Sequence, residues 1–283
     1  MISKKNIELN GSNDMPILTD IFFKDESRQW PVLIYAHGFN GFKDWGNFDL
    51  IAEQFATAGF FFIKFNFSHN GTDVEHSEEF ANLEAFAENN YSRQLTDLQA
   101  VCNWVCSSRN PFQQMIDKNN ISLIGHSMGG GISILYASED ERIKKLVTWA
   151  SVAACKTPWG DWPEEKIITW KKEGVAFYKN GRTGQQMPMN YQLHEDYLIN
   201  EKRLNIRKAL EKITIPVLIC HGTADPAVPV ETAHLLKTWK PSAELFLVES
   251  DHVFGRKHPA TDSKLPGATE KLISETIRFL KTN

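Results

Sequence analysis

Six short runs of apolar residues, mostly β-branched or aromatic, punctuate the chain. They are Val32–Ala36, Phe60–Phe67, Ile121–Ile124, Leu146–Ala150, Val217–Cys220 and Leu245–Val248. Continuous apolar runs of this length suit strands buried on both faces of a parallel sheet. Between the runs, apolar residues recur at helical spacing, as in Leu50, Ile51, Phe55 and Ala58, or Leu95, Leu98, Val101, Cys102 and Val105. The pattern predicts helices over 48–58, 91–105, 129–137, 230–240 and 268–281. Alternating strands and helices read as a doubly wound α/β domain. Two earlier runs, Ile7–Leu9 and Ile17–Phe23, flank Asn10-Gly11, a hairpin signal. An antiparallel edge is therefore expected ahead of the parallel core.

The rhythm breaks between Val152 and Ile213, where no core strand is evident. Seven of the 39 residues from Trp159 to Tyr197 are aromatic, against 11% of the whole chain. The stretch is too structured for a loop and too small for a separate core. The expected organisation is a core domain of residues 1–151 and 214–283, interrupted by an inserted cap of residues 152–213.

Composition narrows the function classes. A net charge of −4 over 283 residues gives no general electrostatic grip on nucleic acid. No stretch approaches the ~20 apolar residues of a membrane span. The opening MISKKNIELNGSND lacks the apolar core of a secretory signal. Four cysteines (Cys102, Cys106, Cys155, Cys220) with no Cys-x-x-Cys read as reduced thiols of a cytoplasmic protein. The nine histidines show no His-Glu-x-x-His spacing, so neither a metal nor another cofactor is expected.

The chemistry is concentrated at Ile121-Ser122-Leu123-Ile124-Gly125-His126-Ser127-Met128-Gly129-Gly130-Gly131. This is a predicted strand, a Gly-x-Ser-x-Gly turn and a predicted helix. Such a turn lifts the serine hydroxyl clear of the sheet. Gly125 and Gly129 remove side chains that would collide in so sharp a bend. The helix start offers free N–H groups and a partial positive charge to a developing oxyanion. An ordinary glycine-rich strand–helix turn is the alternative.

With these residues the chain resembles the α/β-hydrolase superfamily over nearly its whole length. The resemblance implies a mostly parallel sheet of about eight strands with helices on both faces, and the order serine, acid, histidine. The acid loop is matched by Val217–Gly222 followed by Thr223-Ala224-Asp225-Pro226-Ala227-Val228-Pro229. The histidine is matched by His252, just past the run ending at Val248. Ser127 would attack a carbonyl, His252 would take and return its proton, and Asp225 would orient the imidazole. Alternatively Asp225 is a turn aspartate and His252 a surface histidine. His37-Gly38-Phe39-Asn40-Gly41 follows the Val32–Ala36 strand. The N–H groups of Phe39 and Met128 are the expected oxyanion hole. The resemblance gives His37 the task of propping this loop. Asp251, Glu249 and Asp97 are competing acids, the last read as structural. Ser68 and His69 lie in a loop that either touches substrate or only turns the chain.

His37-Gly38-Phe39 with Gly-His-Ser-Met-Gly-Gly is similar to the serine aminopeptidase, acylaminoacyl-peptidase and feruloyl-esterase branches. Asn180-Gly181-Arg182-Thr183-Gly184-Gln185-Gln186 resembles an uncharacterised bacterial hydrolase group near the feruloyl esterases. His126, Trp159, Trp162 and Tyr178 are candidate substrate contacts, although the cap aromatics would equally serve to bury the cap. The leading expectation is a serine esterase acting on a small-molecule ester with an apolar or aromatic acyl group. A peptidase on short peptides, with Glu195, Asp196 or Glu201 binding an α-ammonium, is the second. Acyl transfer to another acceptor and a non-catalytic binding member of the fold remain open, as does the oligomeric state.

Overall fold

The apolar runs come together as the middle of one eight-stranded sheet. The computed structural model describes residues 1–260 and 262–282. Its strands are β1 (Ile2–Asn10), β2 (Pro16–Phe23), β3 (Trp30–Ala36), β4 (Phe61–Phe65), β5 (Ile116–His126), β6 (Ile143–Trp149), β7 (Val175–Lys179), β8 (Gln186–Asn190), β9 (Val217–Gly222) and β10 (Glu244–Val248). The helices are α1 (Phe48–Thr57), α2 (Leu83–Ala87), α3 (Tyr91–Cys106), α4 (Met128–Ala137), α5 (Glu164–Glu173), α6 (Gln192–Ile199), α7 (Ile206–Lys212), α8 (Glu231–Trp239) and α9 (Gly267–Lys281). The central sheet runs β1-β2-β4-β3-β5-β6-β9-β10. β2 is antiparallel to β1 and β4, and the remaining pairs are parallel.

Strand side chains alternate between two faces. Val32, Ile34, Phe61, Ile63, Ile121 and Leu123 join one core with residues of α3, α4, α7 and α8. Leu33, Tyr35, Phe62, Ile124 and Val147 join a second core with α1 and α9. Both faces of the central strands are therefore buried, which is why they read as unbroken apolar runs rather than alternating ones. Each fully buried large apolar side chain contributes about 1.5–3 kcal/mol relative to exposure.

The N-terminal hairpin forms, but not through a two-residue Asn-Gly turn. A short 3₁₀ turn over Ser12–Asp14 links β1 to β2, and the positive φ values fall on Asn13 and Asp14. The turn is held from outside: the buried carboxylate of Asp97 accepts the Ser12 N–H at 2.8 Å. Helix α2 carries no long periodic pattern; the Asn82 side chain caps it by accepting the Ala85 N–H.

Between β6 and β9 lie α5, the β7–β8 hairpin, α6 and α7. β7 and β8 pair only with each other, in a separate two-stranded sheet. This stretch is seated on the region around α2 and α3. Asn90 donates to the Gln192 side chain, Gln192 to the Asn89 carbonyl, and Gln185 to the Phe80 carbonyl. Inside it, Trp170 is buried with its indole N–H on the Met189 carbonyl. All four cysteines are unpaired. No helix among the described residues is long and apolar enough to cross a membrane.

Candidate active site

Ser127 sits at the junction of β5 and α4 with φ +55° and ψ −121°. An L-residue in that region costs roughly 1–3 kcal/mol and persists only where its surroundings impose it. Here the Ser127 N–H donates to the Trp149 carbonyl at 2.9 Å. Its own carbonyl accepts from Gly130 and Val152 at 3.0 and 3.2 Å. The glycines are required sterically. A Cβ on Gly129 would lie 2.3 Å from the His37 carbonyl oxygen, and one on Gly125 would lie 2.3 Å from that of Gly129. Neither backbone oxygen can yield cheaply. The first two N–H groups of α4, on Met128 and Gly129, precede the helical ladder that begins with Gly130.

The loop after β3 is packed directly against the serine: a Cβ on Gly38 would come within 2.8 Å of Ser127 Cβ. His37 ties the loop down. Its Nε2 accepts the Phe67 N–H at 3.2 Å, and its Nδ1–H donates to the Gly38 carbonyl at 2.9 Å. Burial pushes its pKa down to about 4, so the ring is neutral at pH 7. The Phe39 ring packs against Phe86 and edge-on to Tyr178.

Asp225 follows β9 in a tight turn. Its Oδ1 accepts the N–H groups of Ala227 and Val228 at 2.8 and 2.9 Å. Its Oδ2 accepts His252 Nδ1–H at 2.7 Å. Burial alone would push this carboxyl up. The hydrogen bonds from His221, His252 and Val228 outweigh it and hold the pKa far below the usual range. Asp225 is thus a fixed anion beside the His252 ring. β9 and the loop after β10 approach closely at Gly222, where a Cβ would meet the Ser250 and Asp251 carbonyls at 2.5 Å.

Two further histidines complete this arrangement. The buried His221 directs Nε2 between the Val228 carbonyl at 2.8 Å and Asp225 Oδ2 at 3.3 Å. His126 donates Nε2–H to the His252 carbonyl at 2.9 Å, with the two rings 4.8 Å apart. Burial drives the His126 pKa well down. His221 lies in β9, and only its distance from Asp225 in space marks it as a partner.

Ser127, His252 and His126 line one cavity of about 140 Å³, together with the loop from His37 to Phe42 and Arg256. A second, much smaller space of about 10 Å³ lies between Phe39, Met128, Phe86, Tyr91 and Met189. Phe39 borders both. Tyr178 reaches the site through its contact with Phe39. Trp159 and Trp162 are not among the lining residues of either space. Trp159 packs on His194 and Tyr197, and Trp162 packs on Trp170 under the Lys166 ammonium. Asp251 turns away and accepts the Gly255 N–H, and Glu249 is exposed. Asp97 is buried and accepts from the Ser68 N–H and hydroxyl, each at 2.8 Å. His69 in turn contacts the Ser68 hydroxyl. A hydroxyl, an imidazole and an oriented carboxylate beside open N–H groups form the set that activates a nucleophile and steadies an oxyanion.

The family described as alpha/beta hydrolase fold matches residues 31–173, half of the chain. The chain belongs to this family. A 31.7 kDa uncharacterized protein of the traX-finO intergenic region of Escherichia coli is 31% identical over 123 residues. That match covers 44% of this chain and only 38% of the relative's length. Among solved structures, Est1E of Butyrivibrio proteoclasticus superposes with a TM-score of 0.69 at 16% identity, covering 98% of both chains. The esterase domain of a Rhodothermus marinus protein gives 0.63 at 16%, over 99% of this chain and 100% of that one. A puromycin-hydrolyzing peptidase of Mycobacterium tuberculosis gives 0.63 at 14%, over 98% of this chain and 38% of that one. At these identities the likeness is one of fold, so the alpha/beta hydrolase neighbours include both esterases and a peptidase.

Proposed function

We propose that this alpha/beta hydrolase is a serine esterase that cleaves small carboxylic esters through an acyl-enzyme on Ser127. The observation that carries the reading is the 2.7 Å hydrogen bond from His252 Nδ1–H to Asp225 in a cavity shared with Ser127. That bond leaves His252 Nε2 as the unprotonated nitrogen, able to take the serine proton and return it to the leaving alkoxide. Asp225, held ionised by its hydrogen bonds, stabilises the imidazolium that forms. The N–H groups of Phe39 and Met128 receive the oxyanion. The roles of His37 and His126 are to hold the oxyanion loop and the His252 backbone in place.

Residues 152–213 act as the cap, bringing Tyr178 against Phe39 at the edge of the site. The cavity is close to the ~150 Å³ that holds a benzene ring, which suits a short or single-ring acyl group. The charge at the site favours an ester over an aminopeptidase substrate. Glu195, Asp196 and Glu201 do not line the cavity, whereas the cation Arg256 does and would repel an α-ammonium.

Ser127→Ala is expected to abolish hydrolysis of short p-nitrophenyl esters and labelling by a fluorophosphonate, with an unchanged circular dichroism spectrum. Retained turnover in that variant refutes the proposal. Cleavage of aminoacyl-naphthylamides with negligible ester turnover would assign the site to a peptidase.

A further inference from the structure

Arg256 lies four residues beyond His252, and its charge meets no carboxylate at ion-pair distance among the described residues. Its side chain is buried, 2% exposed. The guanidinium carbon sits 4.6 Å from the centre of the Phe48 ring and 5.4 Å from that of Trp45. Nε donates to the Val253 carbonyl at 2.9 Å. The buried Nη1 has no hydrogen-bond partner, and Arg256 forms no ion pair among the described residues. Burial pulls its pKa down, against attraction from Tyr35 and Asp251, yet a guanidinium stays charged. A buried cation without a counter-ion is unfavourable, and ring contacts and one carbonyl offset only part of that cost. Bracing the turn behind His252 accounts for Nε and leaves Nη1 unexplained.

We propose that Arg256 is a substrate-binding residue for a carboxylate, so that the ester this enzyme hydrolyses carries an acid group a short spacer from the scissile carbonyl. The inference rests on the serine-esterase reading. Arg256 lines the same cavity as Ser127 and His252, and no second entrance is needed to bring both ends of one small molecule to them. The planar fork of a guanidinium matches a carboxylate with two parallel bonds. Phe48 and Trp45 hold its plane, so little freedom is lost on binding. A cavity of about 140 Å³ takes a short half-ester and leaves no room for a bulky polyanion.

The test compares esters matched in size by pH-stat. Monoethyl glutarate against ethyl pentanoate places the charge on the acyl side. Butyryl glycolate against ethyl butyrate places it on the leaving side. One charged ester should exceed its neutral partner in kcat/KM by roughly 10- to 100-fold, the range of a charge-assisted bond. Arg256→Met should bring that ratio close to one, and Arg256→Lys should restore part of it. Glutarate should compete with ethyl pentanoate in the wild type. Equal or poorer use of both charged esters, with no inhibition by glutarate, overturns the proposal. So does an Arg256→Met variant that loses charged and neutral turnover alike, since that is the behaviour of a brace. If Arg256→Met does not fold, the wild-type ratios and the glutarate competition decide. Calorimetric titration of Ser127→Ala with glutarate reads the anchor without chemistry. If no ester is turned over at all, the serine assignment fails while that titration still judges Arg256: no binding overturns the anchor.

Discussion

At the scale of single residues, the site depends on backbone held where side chains normally forbid it. Ser127 takes a positive φ because Trp149, Gly130 and Val152 hold its amide and carbonyl. Gly129 permits the close passage of β3's end, so Gly129→Ala forces a Cβ to within 2.3 Å of a backbone oxygen. Overpacking of this kind costs about 1–3 kcal/mol or more. A lowered thermal midpoint together with lost fluorophosphonate labelling is expected. Asp225 answers to a different test. Asparagine is nearly the same size, but its amide cannot act as the anion that fixes the Nδ1–H tautomer of His252. Asp225→Asn should keep the fold and lower kcat about 10⁴-fold, measured on any ester the wild type hydrolyses. An unchanged kcat would remove Asp225 from the machinery.

Among the elements, the junction of β2, β4 and the loop into α1 shows how the loop after β3 is tied to the sheet. Lys64 interrupts the apolar run of β4 and is fully buried. Its ammonium lies 2.6 Å from Asp44 and from Asp49, and 3.3 Å from Asp20. Lys43 bridges Asp20 at 2.9 Å and Asp44 at 2.6 Å. The Lys43 N–H also donates to the Asn66 side chain, linking the loop after β3 to the end of β4. Three carboxylates whose oxygens lie within 4.8 Å of one another would repel strongly without these two lysines. Lys64→Met leaves the carboxylates short of a counter-charge, and breaking such a buried set costs about 3–5 kcal/mol. A urea titration should show that loss; a change below about 1 kcal/mol, the range of surface pairs, would mean the network is dispensable.

For the whole molecule, buried histidines set the response to acid. Burial lowers His37 and His69 from 6.5 to about 4, and drives His126 down as well. In the unfolded chain these rings bind protons near pH 6.5; in the folded protein they do not until near pH 4. The unfolded state therefore gains protons first as pH falls, and stability drops across that window. Asp97 acts oppositely. Burial raises its carboxyl to about 6, so its contribution is present below pH 4 and is lost as pH rises through 6. Three depressed histidines outweigh one raised aspartate. The urea midpoint should fall between pH 7 and pH 4.5, and a flat or rising midpoint would contradict these assignments.

The amino-acid sequence by itself determined the parallel core, because a strand buried on both faces must be apolar at every position, and that is a local property. It also marked Ser127, since a sharp turn between strand and helix demands glycines at close spacing, whereas Asp225 and His252 stand out only through the resemblance to the family. What only the tertiary structure decided is which polar groups meet. Lys64 falls inside the apolar run Phe60–Phe67, and its partners Asp20, Asp44 and Asp49 come from β2, the loop after β3 and α1. His221 and Arg256 gave no periodic or spacing signal, and their meaning lies in an aspartate turn and an aromatic slot built by other segments. The aromatics of residues 152–213 divided the same way: Tyr178 meets Phe39, while Trp159 and Trp162 pack among their neighbours. Hydrophobic burial is written along the chain, residue by residue. Charge pairing and cavity lining depend on distances between segments remote in sequence, and those exist only once the chain has folded.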